Sequence, residues 1–207
     1  MEYNTVLFDL DGTLIDSLPL IKRTYKRVFE QMNIPWGQGD VMQWVGRALR
    51  DIGIHFAGAD REEDFFKLYQ HYYSLDHDRY TTAYPGTMEM LARLREQGIV
   101  MGVVTSKSTK VAQRSIDFLG MDKYMQVLIG AQDVDKHKPQ PEPIFAALER
   151  LKRRPEQTMY VGDSPFDIMA AKAAGVKSVA VPWGIAKKES LLKHQPDLIL
   201  DSWDDLL

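Results

Sequence analysis

Cysteine is absent from all 207 positions, so a disulfide framework, a thiolate zinc site, an iron–sulfur cluster and a cysteine nucleophile are excluded. Such a chain suits a reducing compartment, and the cytoplasm is the expected location. Long apolar runs are absent too. The longest stretch free of polar side chains, Gly98 to Val104, is far short of the roughly 20 residues a spanning helix needs. No charged-then-apolar leader opens the sequence, so neither membrane insertion nor secretion is expected. A basic surplus is also missing. The 26 Lys and Arg face 29 Asp and Glu, which leaves no excess to neutralise a nucleic-acid backbone. His55, His71 and His77 stand at no metal-ligand spacing and read as structural side chains.

What is present is a globular composition, 44% hydrophobic and 27% charged, on a chain long enough for one large domain or two unequal ones. Thr5-Val6-Leu7-Phe8 reads as a buried strand that runs straight into Asp9-Leu10-Asp11-Gly12-Thr13. From Asp16-Ser17, which can cap a helix, apolar residues recur at Ile21, Tyr25, Val28, Phe29 and Met32 with helical period as far as Pro35. Val41 to Val45, Leu49 to Phe56 and Phe65 to Tyr73 read as further helical segments, and no strand is expected between residue 16 and Tyr80.

Beyond Tyr84-Pro85-Gly86 the rhythm changes. Helices are expected at Met88–Gln97, Lys110–Leu119, Pro143–Leu151 and Asp167–Ala174, alternating with strands at Ile99–Val104, Val127–Ile129, Met159–Val161 and Lys177–Val181. That alternation predicts an α/β fold with a doubly wound, Rossmann-like parallel sheet, interrupted after its first strand by an all-helical insert. The sheet domain is assigned to residues 1–16 and 83–207 and the insert to 17–82, with hinges at Asp16 to Leu18 and Ala83 to Gly86.

Ligands of open parallel sheets bind beyond the carboxyl ends of the strands. Those positions hold Asp9 and Asp11, then Thr105-Ser106-Lys107, then Lys136-His137-Lys138-Pro139, then Gly162-Asp163-Ser164-Pro165-Phe166-Asp167. Carboxylates that converge without thiols or clustered histidines favour a hard, oxygen-seeking cation such as Mg²⁺.

The four strings, in this order and in these contexts, resemble the motifs of the haloacid dehalogenase superfamily over the whole sheet domain. The helical insert after the first motif resembles the subfamily with a C1 cap, and the stretch from Lys138 to Pro143 resembles its phosphoglycolate phosphatase and pyrophosphatase branch. The resemblance implies a phosphatase that hydrolyses a small phosphorylated metabolite through an aspartyl-phosphate. It makes Asp9 the nucleophile, Asp11 the general acid and base, and Lys138 the cation that neutralises both Asp9 and the phosphoryl group. Mg²⁺ would be held by Asp9, Asp163 and the main-chain carbonyl of Asp11, with Asp167 close behind. Leu10, the Thr105 hydroxyl and the Ser106 N–H would bind the phosphoryl group, Ser106 at a helix N-terminus where the dipole favours anions.

Gly46, Arg47 and Arg50 stand where the cap's substrate-specificity loop would lie, the arginines suited to a second anion such as a carboxylate or another phosphate. Lys107, Lys136 and His137 read as rim residues, and a helix N-cap is an equal alternative for Thr105. Lys22-Arg23 and Lys26-Arg27 read as the solvated face of a cap helix, and Tyr69, Tyr72, Tyr73 and Tyr80 as helix packing. A sugar phosphomutase or a broad sugar phosphatase is the alternative function, and the chain is expected to be a monomer or homodimer.

Overall fold

The computed structural model describes residues 3–37 and 39–206. The chain opens with β1 (Thr5–Phe8), buried at every position, and reaches a two-residue strand, β2 (Ile15–Asp16). The insert follows with α1 (Leu18–Gln31), a 3-10 turn at Asp40–Trp44, α2 (Leu49–Ala57) and α3 (Glu62–Tyr80). It closes on β3 (Thr82–Ala83), which pairs antiparallel with β2, Ile15 opposite Ala83 and Asp16 opposite Thr82. Entry to the insert and exit from it are thus tied together beside the end of β1.

The rest alternates: α4 (Thr87–Glu96), β4 (Val100–Val104), α5 (Thr109–Phe118), β5 (Val127–Ile129), α6 (Glu142–Leu151), β6 (Thr158–Gly162), α7 (Pro165–Ala174), β7 (Lys177–Ala180), α8 (Lys188–Leu192) and β8 (Leu198–Ile199). The sheet order is β5-β4-β1-β6-β7-β8 with every pairing parallel. β1 therefore lies between β4 and β6, and the loops after all three strands meet at one edge, the arrangement that makes a switch point in the chain order a binding site.

Side chains leave the strands on alternate faces, which builds two core layers. Val6 and Phe8 pack with Met101, Val103, Met90 and Trp203 on one side of the sheet, while Leu7 packs with Val104, Tyr160 and Ala147 on the other. The insert has its own core, in which Tyr25 and Phe29 of α1 meet Phe65 of α3 and Ile52 of α2.

Several local expectations need correction. Ser17 precedes α1 but makes no side-chain cap; its Oγ donates to Asp11 instead. The segment around Val41 to Val45 is a 3-10 turn rather than an α-helix, too short after Gly39 to develop full helical bonding. α7 starts two residues before Asp167, because Ser164 and Asp167 form a reciprocal capping box that fixes the start at Pro165. α8 and β8 were not anticipated, since elements this short carry no readable periodicity.

Candidate active site

Asp9 follows β1 directly and is held there by its N–H to the Val161 carbonyl at 2.8 Å, a bond to the neighbouring strand that leaves little freedom. Its Oδ1 lies 3.0 Å from Nζ of Lys138, and the same Nζ lies 2.6 Å from Oδ1 of Asp167. The third direction of the ammonium is taken by the Tyr160 hydroxyl at 3.1 Å, which in turn donates to the Val104 carbonyl at 2.9 Å. Lys138 is buried, so its three donors are fully used to hold two carboxylates and a phenol. Burial alone would lower its pKa, but Asp167 and Asp9 outweigh it and hold the ammonium well above the ordinary lysine range.

Asp163, at the end of β6, is oriented from two sides. The Thr13 hydroxyl donates to its Oδ1 at 3.1 Å and the Ile185 N–H to its Oδ2 at 2.6 Å. Backbone crowds it closely. Gly12 sits at φ +82°, and a Cβ there, or on Gly184, would run into the Asp163 carboxylate. Carboxylate oxygens of Asp9, Asp163 and Asp167 lie within 4.8 Å of one another and all three residues are buried. Burial pushes Asp9 up to about 7, Lys138 working against the rise and Asp167 and Asp11 adding to it; burial, with Asp167 and Asp9, holds Asp163 well above the carboxylate range. Three buried carboxylates share one buried ammonium, a deficit that a divalent oxygen-seeking cation would make good.

Asp11 is held differently. Its Oδ1 accepts from the Ser17 hydroxyl and pairs with Nζ of Lys107 at 2.5 Å, and Lys107 also donates to the Tyr73 hydroxyl of α3 at 2.6 Å. Lys107 is therefore not a rim residue: its side chain is 10% exposed and joins the sheet domain to the insert. Burial opposes its charge, yet Asp11 and Tyr73 more than offset that and raise its pKa. Lys136 does lie outside, paired with Glu142.

Thr105 lines the same cavity and is buried, its Oγ1 accepting the Lys107 N–H at 3.2 Å. It caps no helix, because α5 begins at Thr109 with Ser108 in the capping position. Ser106 likewise stands ahead of the helix N-terminus rather than on it, and its Oγ donates to the Gly46 carbonyl of the insert at 2.6 Å. The Leu10 side chain is fully buried in the core, so only its main chain can meet a phosphate. Gly46 takes φ +103° against Ser164 and Phe166, where a side chain would press on both.

Two arginines of the insert, Arg47 and Arg50, line the cavity but are engaged. Arg50 pairs with Glu62 at 2.6 Å and Glu63 at 3.1 Å and lies over Phe66. Arg47 is sandwiched between Trp44 of the insert and Phe166 of the sheet domain, 4.4 and 4.8 Å from the ring centroids. Arg23 and Arg27 pair with Asp76 along the insert's outer surface, and His77 is fully buried between Asp78 and Ser115.

Tyr160 and the Gly184-Ile185 loop are contributors that the motif reading did not single out; Thr13 stood in the first motif without a role, and Tyr73, expected as helix packing, also meets Lys107. For Tyr160 a signal existed, since a tyrosine in the middle of a buried strand must find a partner for its hydroxyl. No helix of the described residues is long and apolar enough to cross a membrane.

Comparison with known proteins shows the family of the chain. A family profile described as haloacid dehalogenase-like hydrolase matches residues 6–181. The chain is 41% identical over 208 residues to a protein of Caldanaerobacter subterraneus subsp. tengcongensis provisionally named pyrophosphatase PpaX, covering 100% of this chain and 94% of that one. It is 34% identical over 227 residues to a phosphoglycolate phosphatase of Salmonella typhimurium, covering 98% and 90%. A crystal structure from Bacteroides fragilis, provisionally named a haloacid dehalogenase-like hydrolase, superposes with a TM-score of 0.92 at 30% identity, covering 99% of this chain and 100% of that one.

Proposed function

The chain belongs to the haloacid dehalogenase-like hydrolases, and from that premise we propose that it is a cytoplasmic, Mg²⁺-dependent phosphatase that forms an aspartyl-phosphate on Asp9. The observation that carries the reading is one cluster at the end of β1: the Asp9 carboxylate, 3.0 Å from the Lys138 ammonium and within 4.8 Å of Asp163 and Asp167, opening on the cavity that Asp11 and Thr105 also line.

In this proposal an oxygen of Asp9 attacks phosphorus while Asp11 gives a proton to the leaving oxygen, and the Asp9 carboxyl carries the phosphoryl group. Asp11 then takes a proton from a water that attacks phosphorus from the far side, releasing inorganic phosphate and restoring Asp9. Lys138 balances the charge on Asp9 throughout, and Thr105 donates its hydroxyl to a phosphoryl oxygen, with the main chain at Leu10 and Ser106 alongside. Mg²⁺, held by Asp9, Asp163 and the Asp11 carbonyl with Asp167 behind, would neutralise the repulsion between an anionic nucleophile and an anionic phosphate.

The names of the similar proteins make pyrophosphate the first substrate to try and phosphoglycolate the second. The protein would act on a small molecule alone, as monomer or homodimer. The test is phosphate release from both substrates with and without Mg²⁺, in wild type and Asp9→Asn. Turnover that needs Mg²⁺ and vanishes in Asp9→Asn with the melting curve intact supports the proposal, and wild-type turnover in Asp9→Asn refutes it.

A further inference from the structure

The cavity over Asp9 has a volume of about 420 Å³. One water occupies about 30 Å³ of liquid, and pockets of 300–1,000 Å³ are the size that encloses organic ligands. An inorganic diphosphate or a two-carbon acid leaves most of that space unfilled. The walls facing it are chiefly apolar and aromatic: Ile21 and Tyr25 of α1, Val45, Phe66 and Tyr69 of the insert, and Val111 of α5. Tyr25 and Tyr69 pack with ring centroids 4.8 Å apart, and Tyr69 stacks on Tyr73 at 5.8 Å, so this wall is a continuous aromatic surface.

The cations that could instead have made the cavity a site for a second anion are mostly committed elsewhere. Lys107 is held by Asp11 and Tyr73, Arg50 by Glu62 and Glu63, and Arg114 by Asp78, while Arg47 lies between two rings. Lys110 also lines the cavity without a carboxylate partner among the described residues, but it is exposed. A ligand tail placed here meets mainly rings and aliphatic carbons, with Gln70, Ser74, Ser108 and Gln132 as uncharged polar neighbours.

We propose that the site has a further activity, hydrolysis of phosphate monoesters whose leaving alcohol carries an apolar, ring-sized group seated between α1, α3 and α5. The inference rests on the phosphatase reading above and extends it to a substrate class that the similar proteins' names do not mention. Apolar burial of a ring discriminates by about tenfold or more. The reaction is the same displacement at phosphorus: the ester P–O bond breaks, the alkoxide takes its proton from Asp11, and water supplies the oxygen of the released phosphate.

The test compares ethyl phosphate with 2-phenylethyl phosphate, whose leaving alcohols are of similar acidity, so a difference in kcat/KM reports the tail rather than the chemistry. We expect 2-phenylethyl phosphate to be preferred by about tenfold or more, and Phe66→Ala to shrink that ratio. Inhibition of the wild type by the non-hydrolysable ethyl and 2-phenylethyl phosphonates gives the same comparison without depending on a variant that folds. Equal kcat/KM for the two esters with equal inhibition constants for the two phosphonates overturns the inference and leaves the phosphatase reading standing if pyrophosphate or ethyl phosphate is hydrolysed. No phosphate release from any of these compounds overturns both.

Discussion

Lys107 offers the sharpest test of how Asp11 is kept in place. The ammonium bridges Asp11 at 2.5 Å and Tyr73 at 2.6 Å, with the paired Lys107 and Asp11 side chains only 10% and 12% exposed. Lys107→Met keeps the length and apolar stem and removes only the charge. Asp11 then keeps the Ser17 hydroxyl, at the entry to the insert, and loses its partner on the loop after β4. A charge-assisted hydrogen bond of this kind contributes about 1.5–3 kcal/mol. If that contribution is what aims Asp11 at the leaving oxygen, kcat falls by about 10- to 100-fold. Tyr73→Phe removes one partner of Lys107 and leaves Asp11 paired, so it lowers kcat by only about fivefold. The assay is steady-state phosphate release at saturating substrate, with thermal melting to confirm the fold. Because Lys107 acts through Asp11, Lys107→Met should cost almost nothing further on top of Asp11→Asn. Wild-type kcat in a folded Lys107→Met, or losses that simply multiply in the double variant, would refute the reasoning.

Gly184→Ala places a Cβ on the Asp163 carboxylate and the Gly12 carbonyl; overpacking of this sort costs about 1–3 kcal/mol, so we expect a lower melting temperature together with a higher Mg²⁺ concentration for half-maximal activity, and wild-type values of both would sink the assignment. His77 is fully buried, and burial, opposed by its bond to Asp78, holds its imidazole below the ordinary value of 6.5. The unfolded chain therefore binds a proton that the folded chain resists, so this stability is complete above about pH 6.5 and is lost as pH falls through the folded value. His77→Gln should melt with a flatter dependence on pH between 8 and 5 than wild type, and parallel curves would show that the imidazole is not involved.

Much of this architecture was legible in the sequence because its signals are local. A β-branched, apolar run ending in two carboxylates places Asp9 on a strand end, and helix–strand alternation then puts the other motifs at the same edge. What was not legible depends on distance through space. Lys107 looks like surface charge in a Thr-Ser-Lys string, and only the docking of α3 brings Tyr73 to meet it. Arg50 has the right chemistry for a second anion, but Glu62 and Glu63, at the start of the next helix, claim it first. Ser17 has the right position and chemistry to cap α1 and serves Asp11 instead, a competition between two acceptors that a propensity argument does not resolve.

The contacts between insert and sheet domain fall in two groups, one beside the site and one toward the C-terminal end of α3. Ser106 donates to the Gly46 carbonyl, Lys107 to the Tyr73 hydroxyl, and Arg47 lies between Trp44 and Phe166. Each ends beside a residue of the site: Ser106 and Lys107 directly follow Thr105, and Phe166, in the first turn of α7, sits between Asp163 and Asp167. Net hydrogen bonds contribute about 0.5–1.5 kcal/mol, somewhat more when charged, and a cation over a ring about 0.5–2 kcal/mol. His77 with Ser115, Arg114 with Asp78, and the packing of Val111 and Ile185 on the insert's core add to these, so the seam is held by more than its three contacts beside the site. Separation of the two parts would take Tyr73 from Lys107, while Lys107, on the same domain as Asp11, would stay with it. A ligand tail seated against Tyr25, Tyr69 and Val111 would touch both parts of the molecule at once, because those side chains line one cavity from α1 and α3 on one side and α5 on the other, and so would add to the contacts that hold the two parts together.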